Sequence, residues 1–186
     1  MEWSIPLQKL EVGKVQIGEI QHGEKSLVPL AYFDGKNVFS NLNILLPKLN
    51  IQEFDENSGK FILSLNEHEA KLNALQNTLL GAVYIQQRVW FPEIFYNNEI
   101  LNNLFKPIVN NRLLHLYYPV QYTNDIRIYK DGVWHNTYVP GLIKTNDSVR
   151  IMFRIQGISF HKHNYNNIWS GKFRLQHRIY AVLIDS

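Results

Sequence analysis

Arginine and glutamine recur at one spacing near the C-terminal end of this 186-residue chain, as Arg154-x-Gln156 and Arg174-x-Gln176. A guanidinium group holds phosphate through fixed charge and paired N–H donors, so repeated arginines on one surface point to a polyanion. The flanking residues alternate as in strands. Val149, Ile151, Phe153 and Ile155 fall on one face of the first run, with Arg150, Met152, Arg154 and Gln156 on the other. In the second run Phe173, Leu175, Ile179, Ala181 and Leu183 oppose Arg174, Gln176, Arg178 and Tyr180. Successive strand side chains point to opposite faces. If the runs pair, one face carries four arginines, two glutamines and a tyrosine. Between them lies a polar loop, His161 to Gly171, with Lys162, Tyr165 and Trp169. Two readings fit: an electrostatic track with rings on which bases stack, or an ordinary solvated sheet face.

Other chemistry is mostly absent. The chain has no Cys, which excludes a thiol nucleophile, a disulfide framework and a Cys-based zinc site. It holds no phosphate-wrapping Gly-x4-Gly-Lys-Ser/Thr loop, no Gly-x-Gly-x-x-Gly, no His-Glu-x-x-His and no Gly-x-Ser-x-Gly elbow. His161 and His163 could reach a metal from one strand face, but no acid lies nearby to complete the ligands, so a polar or phosphate-contacting role is preferred. His177 falls on an apolar face and reads as a satisfied core or interface histidine. Asp125, Asp131, Asp147 and Asp185 are the acids of the C-terminal part, all at turns or the terminus. They assemble no carboxylate pair for metal-dependent hydrolysis. The expectation is a non-enzyme without cofactor or metal.

Charge is uneven. Residues 1–111 hold 9 Lys and Arg against 12 Asp and Glu; residues 112–186 hold 10 against 4. The net charge of +3 therefore conceals an acidic part and a basic part, and the asymmetry again points to a polyanion.

These residues need a sheet to position them. Composition, 45% hydrophobic and 13% aromatic, is that of a globular chain, and its length fits one domain over 1–186. Short strands and turns fill residues 3–66, with a hairpin signal at Asp34-Gly35. Leu72, Leu75, Leu79 and Val83 recur at helical spacing and predict the one main helix, about 67–87, with Asn66 as its N-cap. Pro92 is placed to open a second, short helix that ends near Pro107. Asp131-Gly132 predicts a hairpin that sets Arg127 and Tyr129 on one strand and Trp134 and Tyr138 on the other. Lys144 lies in the connection to the basic runs. No run of about 20 apolar residues suggests a membrane span, and residues 1–11 do not read as a leader. The absence of Cys fits an intracellular compartment, cytoplasm or nucleus.

The ending Ser148-Val149-Arg150-Ile151, Phe153-x-Ile155-x-Gly157-Ile158, Gly171-Lys172-x-Arg174-Leu175-Gln176-His177 resembles small single-stranded-DNA-binding proteins of large DNA viruses. The resemblance covers about forty residues. It implies an oligonucleotide-binding barrel and DNA contacts at Arg150, Arg154, Lys172, Arg174 and Gln176. The expected fold is therefore α+β, mainly β, an OB-like partly open antiparallel barrel with one helix across it. The expected function is non-catalytic, sequence-tolerant binding of single-stranded DNA in viral replication, inside the host cell. Arg127, Tyr129, Trp134, Tyr138, Lys144, Gln156, Lys162, Tyr165, Trp169 and Arg178 complete the expected contact set. RNA stays open as ligand, since nothing here reads a 2′-hydroxyl. The acidic part is left for self-association as a homo-oligomer or for replication partners. The alternatives are a structural or virion interaction protein and a metal-dependent nuclease.

Overall fold

The computed structural model describes residues 3–120 and 125–185. Its elements in chain order are β1 (Ile5–Pro6), β2 (Val15–Ile17), β3 (Ser26–Phe33), β4 (Val38–Ser40), β5 (Leu42–Leu45), β6 (Leu49–Phe54) and β7 (Lys60–Ser64). Then come α1 (Glu69–Trp90), α2 (Asn98–Leu104), β8 (Phe105–Lys106), β9 (Val109–Asn110) and β10 (Leu113–Tyr117). The last four are β11 (Arg127–Lys130), β12 (Val133–His135), β13 (Ser148–Lys162) and β14 (Trp169–Asp185). Strands take 45% of the residues and helical segments 22%, so the protein is α+β and mainly β, with one main helix and an open sheet.

β13 and β14 form the spine. They pair antiparallel over nearly their whole length, Ser148 opposite Asp185 and Lys162 opposite Trp169. Val149, Ile151, Phe153 and Ile155 are buried, as their alternation requires, while Arg150 is exposed. Strict alternation fails at three register shifts, and each bulge changes which side chains face the core. The shift that leaves Tyr180 unpaired turns Val182 and Ile184 towards Ile151 and Val149. Ala181 and Leu183, expected on the face of Phe173, are thereby displaced to the other side.

The second edge of β13 receives β6, β5 and β3 in succession. β3 docks where β13 carries Gly157. A Cβ there would lie 2.2 Å from the Val28 carbonyl oxygen, so a side chain at this position would push the two backbones apart. The second edge of β14 receives β8 and β11, both parallel. Beyond β6 the sheet continues through β7, β10 and β9. β10 then returns to β14, where the Tyr117 N–H donates to His177 Nε2 at 2.9 Å.

α1 buries Leu72, Leu75, Leu79 and Val83, the stripe its spacing predicts. The same face buries Gln76, whose amide accepts from the N–H groups of Ile108 and Val109 and donates to the Val109 carbonyl. That satisfies a buried amide and seats β9 on the helix. The expected N-cap is corrected. Asn66 adopts a left-handed φ of 50° and accepts from the Ser64 hydroxyl, and a 3-10 turn leads into α1. The second helix starts at Asn98, not Pro92, because Asn97 supplies the cap: its side chain accepts the Ile100 N–H at 2.9 Å. One apolar cluster runs from Leu7 to Ile184, so the acidic and basic parts share a core. Among the described residues, no helix is long and apolar enough to cross a membrane.

Candidate nucleic-acid interface

The expected contact residues do not form one surface. They separate into a cavity at one end of the spine, the outer face of β13 and β14, and the β11–β12 hairpin at the other end. Arg150 and Lys162 lie twelve residues apart on one strand, about 40 Å at the rise of an extended chain.

The cavity, about 600 Å³, collects Lys162, Lys172 and Arg174 from the expected set, together with Lys25 and Lys106. They come from four stretches: Lys25 from the approach to β3, Lys106 from the short β8, Lys162 from the end of β13, and Lys172 and Arg174 from the start of β14. His161 and His163 also line it, and Glu24 is its one carboxylate among the described residues. Lys25, Lys106, Lys172 and Arg174 pair with no carboxylate among the described residues. Lys106 and Arg174 are register partners in the parallel β8–β14 pair. Like charges at such positions destabilise a sheet, so packing gives no reason for them. Lys162 Nζ donates to the Gly23 carbonyl at 3.0 Å, which ties the loop before β3 to the end of β13.

A second cleft of about 550 Å³ adjoins the first through shared walls, Lys106 and Arg174. Its other walls include Lys60, His115, Tyr117, Gln176 and His177. Burial drives the His177 pKa down to about 4, and the charges of Arg174 and Lys106 add to the shift. The ring is therefore neutral at pH 7, which leaves Nε2 free to accept from Tyr117. The satisfied histidine expected at this position is what the structure places there.

On the outer face, Arg154 and Arg178 are cross-strand partners and Tyr180 lies against both, with guanidinium carbons 4.6 and 5.9 Å from its ring centroid. This face is internally bonded. Arg178 pairs with Asp125, Arg154 Nε donates to Asn43 Oδ1, Arg150 Nε donates to the Leu46 carbonyl, and Gln176 Nε2 donates to Gln156 Oε1. At the far end Tyr129 and Trp134 are register partners with ring centroids 5.0 Å apart. Arg127 beside them and Lys144 before β13 are exposed.

Two aromatics differ from expectation. Trp169 is 1% exposed, not at a loop tip. It packs on Phe91, Tyr96 and Phe160, and its Nε1–H donates to the Lys172 carbonyl. The exit of α1 supplies Phe91 and Tyr96, and nothing in the local sequence announces them. Tyr138 is half-buried beside Phe54 and Tyr118, and its hydroxyl donates to the Glu56 carboxylate. That bond and the Gly141 N–H hold the Glu56 carboxyl below its usual range, and burial pushes the Tyr138 phenol up. Tyr165 is 81% exposed, as expected, stacked on His163 at the cavity rim.

Lys25, Lys106 and Tyr117 are the residues sequence reasoning missed. Lys25 and Lys106 lie outside the basic part and Tyr117 lies in an apolar run, and only long-range pairing brings them together. Among the described residues, no three His, Asp or Glu side chains gather to hold a metal. Comparison with family models, with curated proteins and with solved structures finds no match to this chain.

Proposed function

We propose that this protein binds single-stranded DNA, without catalysis and with little sequence preference, through the cationic cavity and the cleft beside it. The observation that carries this reading is the gathering of Lys25, Lys106, Lys162, Lys172 and Arg174 around one cavity with a single carboxylate in its lining. Lys25, Lys106, Lys172 and Arg174 pair with no carboxylate among the described residues, and Lys106 and Arg174 are cross-strand neighbours; such cations are what a phosphate backbone neutralises. In this reading the curled sheet is an OB-like, partly open barrel. Supporting it, β14, β13, β6, β7 and β10 neighbour one another in that order, and the Tyr117–His177 bond draws the last strand to the first. The role is shielding of unpaired strands during viral DNA replication, as the C-terminal resemblance implies.

The test is fluorescence anisotropy of labelled oligothymidylate across a salt series, with oligouridylate and duplex of equal length alongside. The reading expects tight binding of the single strand at low salt and a steep linear fall of log K with log salt. No binding at low salt overturns it, and tighter duplex binding redirects it. A second reading, a structural or interaction protein, draws on one observation: Val133 and Val139, which line a groove on the β11–β12 hairpin, and Trp134 next to Val133 are each more than half exposed.

A further inference from the structure

Tyr117 stands in the second cleft with nothing to do. It is 54% exposed, its ring meets no other ring, and its hydroxyl joins no hydrogen bond among the described residues. Three other exposed rings are occupied: Trp134 on Tyr129, Tyr165 on His163, and Phe95 beneath the Arg88 guanidinium.

Yet Tyr117 is held in place. Its backbone N–H is fixed by His177, and Lys60 is its register partner on β7. The next residue, Tyr118, donates its N–H to the Gly59 carbonyl at 2.7 Å. Gly59 has a φ of +77°, and a Cβ there would stand 2.8 Å from Tyr117 Cε2 and 2.1 Å from the Tyr118 carbonyl oxygen. The bare glycine backbone is therefore the surface on which one edge of the ring rests. A ring supported along one edge and open to a cleft is a platform whose ordering cost is met on folding.

The cleft continues into the cationic cavity through Lys106 and Arg174. Its walls also include the apolar Pro107, Ile108 and Leu116, and Lys60 lies beside Tyr117 on β7. From this juxtaposition we infer that the cleft is a nucleobase subsite: a base stacks on Tyr117 while its phosphate sits at Lys106 and Arg174. The inference rests on the single-stranded reading above and assigns its base-binding half. A flat ring without a hydrogen-bonding partner selects a π-face and not a base edge, so the subsite tolerates any base.

The experiment compares wild type, Tyr117→Ala and Tyr117→Phe on oligothymidylate and on an abasic strand with the same number of phosphates. Tyr117→Ala is expected to weaken oligothymidylate binding about tenfold, within the range of one stacked base, with an unchanged salt slope. Tyr117→Phe should bind as wild type, and all three should bind the abasic strand equally. Equal affinity of wild type and Tyr117→Ala for oligothymidylate overturns the subsite and leaves strand binding standing. A parallel loss on the abasic strand also overturns it, since the defect is then in the phosphate track or the fold. Wild type binding neither strand removes the function and the subsite together. As a check on folding, Tyr117→Trp should keep its affinity and show tryptophan quenching on oligothymidylate but not on the abasic strand. An indole at that position whose emission is blind to bases counts against stacking.

Discussion

The cavity end of the β13–β14 spine and its outer face are built from the same residue types, yet their charges are in opposite conditions. On the outer face Arg178 has Asp125, Arg154 has Asn43 and Tyr180, and Gln176 has Gln156. In the cavity Lys106 and Arg174 face each other across a parallel pair without a carboxylate on either. An exposed, partnered arginine contributes little to stability and has little left to offer a ligand. An unpartnered pair costs the free protein and repays that cost only when an anion arrives. What matters for function is therefore the company a cation keeps, which a pattern such as Arg-x-Gln does not reveal.

Charge reversal gives the largest expected contrast. Lys106→Glu with Arg174→Glu should weaken oligothymidylate binding at least a hundredfold, or about 3 kcal/mol, and flatten the salt slope. The matched pair Arg154→Glu with Arg178→Glu should cost less than about fivefold, because those side chains are already engaged. Anisotropy at two salt concentrations measures both. Equal losses would erase the distinction between the regions and return the interface to the outer face.

His177 provides the next test, since it stands where the cavity cations meet the sheet seam. Its folded pKa of about 4 lies below the ordinary histidine value of 6.5. Between these values the unfolded chain takes up a proton that the folded chain refuses. Stability is then fully present above about pH 6.5 and falls as pH drops towards 4. The full shift corresponds to about 3 kcal/mol, and a half-buried ring reduces this to about 2 kcal/mol. Urea denaturation of wild type and His177→Gln from pH 4 to 7 should show the wild-type midpoint rising more steeply with pH. Parallel curves would mean that the ring is solvated and the seam open.

The strand faces are legible in the sequence because period-two alternation survives between bulges. Val149 to Ile155 lies as its pattern says, and Leu72 to Val83 makes the helical stripe. Beyond Tyr180 the pattern slips by one, since a bulge costs a single residue and leaves no compositional mark. The Asp131-Gly132 turn is legible: both residues take positive φ, 52° and 80°, as a tight hairpin needs. Trp169 is not, because a polar loop sequence conceals a ring that Phe91 and Tyr96 cover from far along the chain. Half of the cavity is visible in Lys162, Lys172 and Arg174. Lys25 follows Glu24 and Lys106 is the one charge in residues 100–111, so neither reads as part of a basic cluster until the β3–β13 and β8–β14 pairings bring it to the cavity.

A smaller effect concerns the outer margin of the aromatic core. Tyr118 is buried and its hydroxyl has no hydrogen-bond partner among the described residues, and burial raises its pKa to about 12. An unsatisfied buried hydroxyl costs on the order of 1 kcal/mol, so Tyr118→Phe should stabilise the protein by about that amount. Tyr138→Phe, which breaks the bond to Glu56, should destabilise it by a similar amount. Neither change should alter oligothymidylate affinity, because neither residue lines the cationic cavity or the adjoining cleft. Thermal melts read the first pair of outcomes and anisotropy the second.

The smallest effect is the most discriminating, because it is read without any ligand. If Lys106 and Arg174 repel each other in the free protein, removing one charge should relieve the other. Lys106→Gln should raise the melting temperature, by about 0.5 kcal/mol of stability, within the range of cross-strand pair energies. Arg178→Gln removes an attraction to Asp125 that offsets the charge of its cross-strand partner Arg154, and should lower stability by at most a few tenths of a kcal/mol. The two substitutions delete the same charge from the same sheet with opposite signs. High salt should shrink both differences, since screening weakens repulsion and attraction alike. A Lys106→Gln protein that is both more stable and poorer at binding has lost a residue kept for its ligand; one that is less stable shows that Lys106 has a structural partner, and the cavity then loses its claim to idle charge.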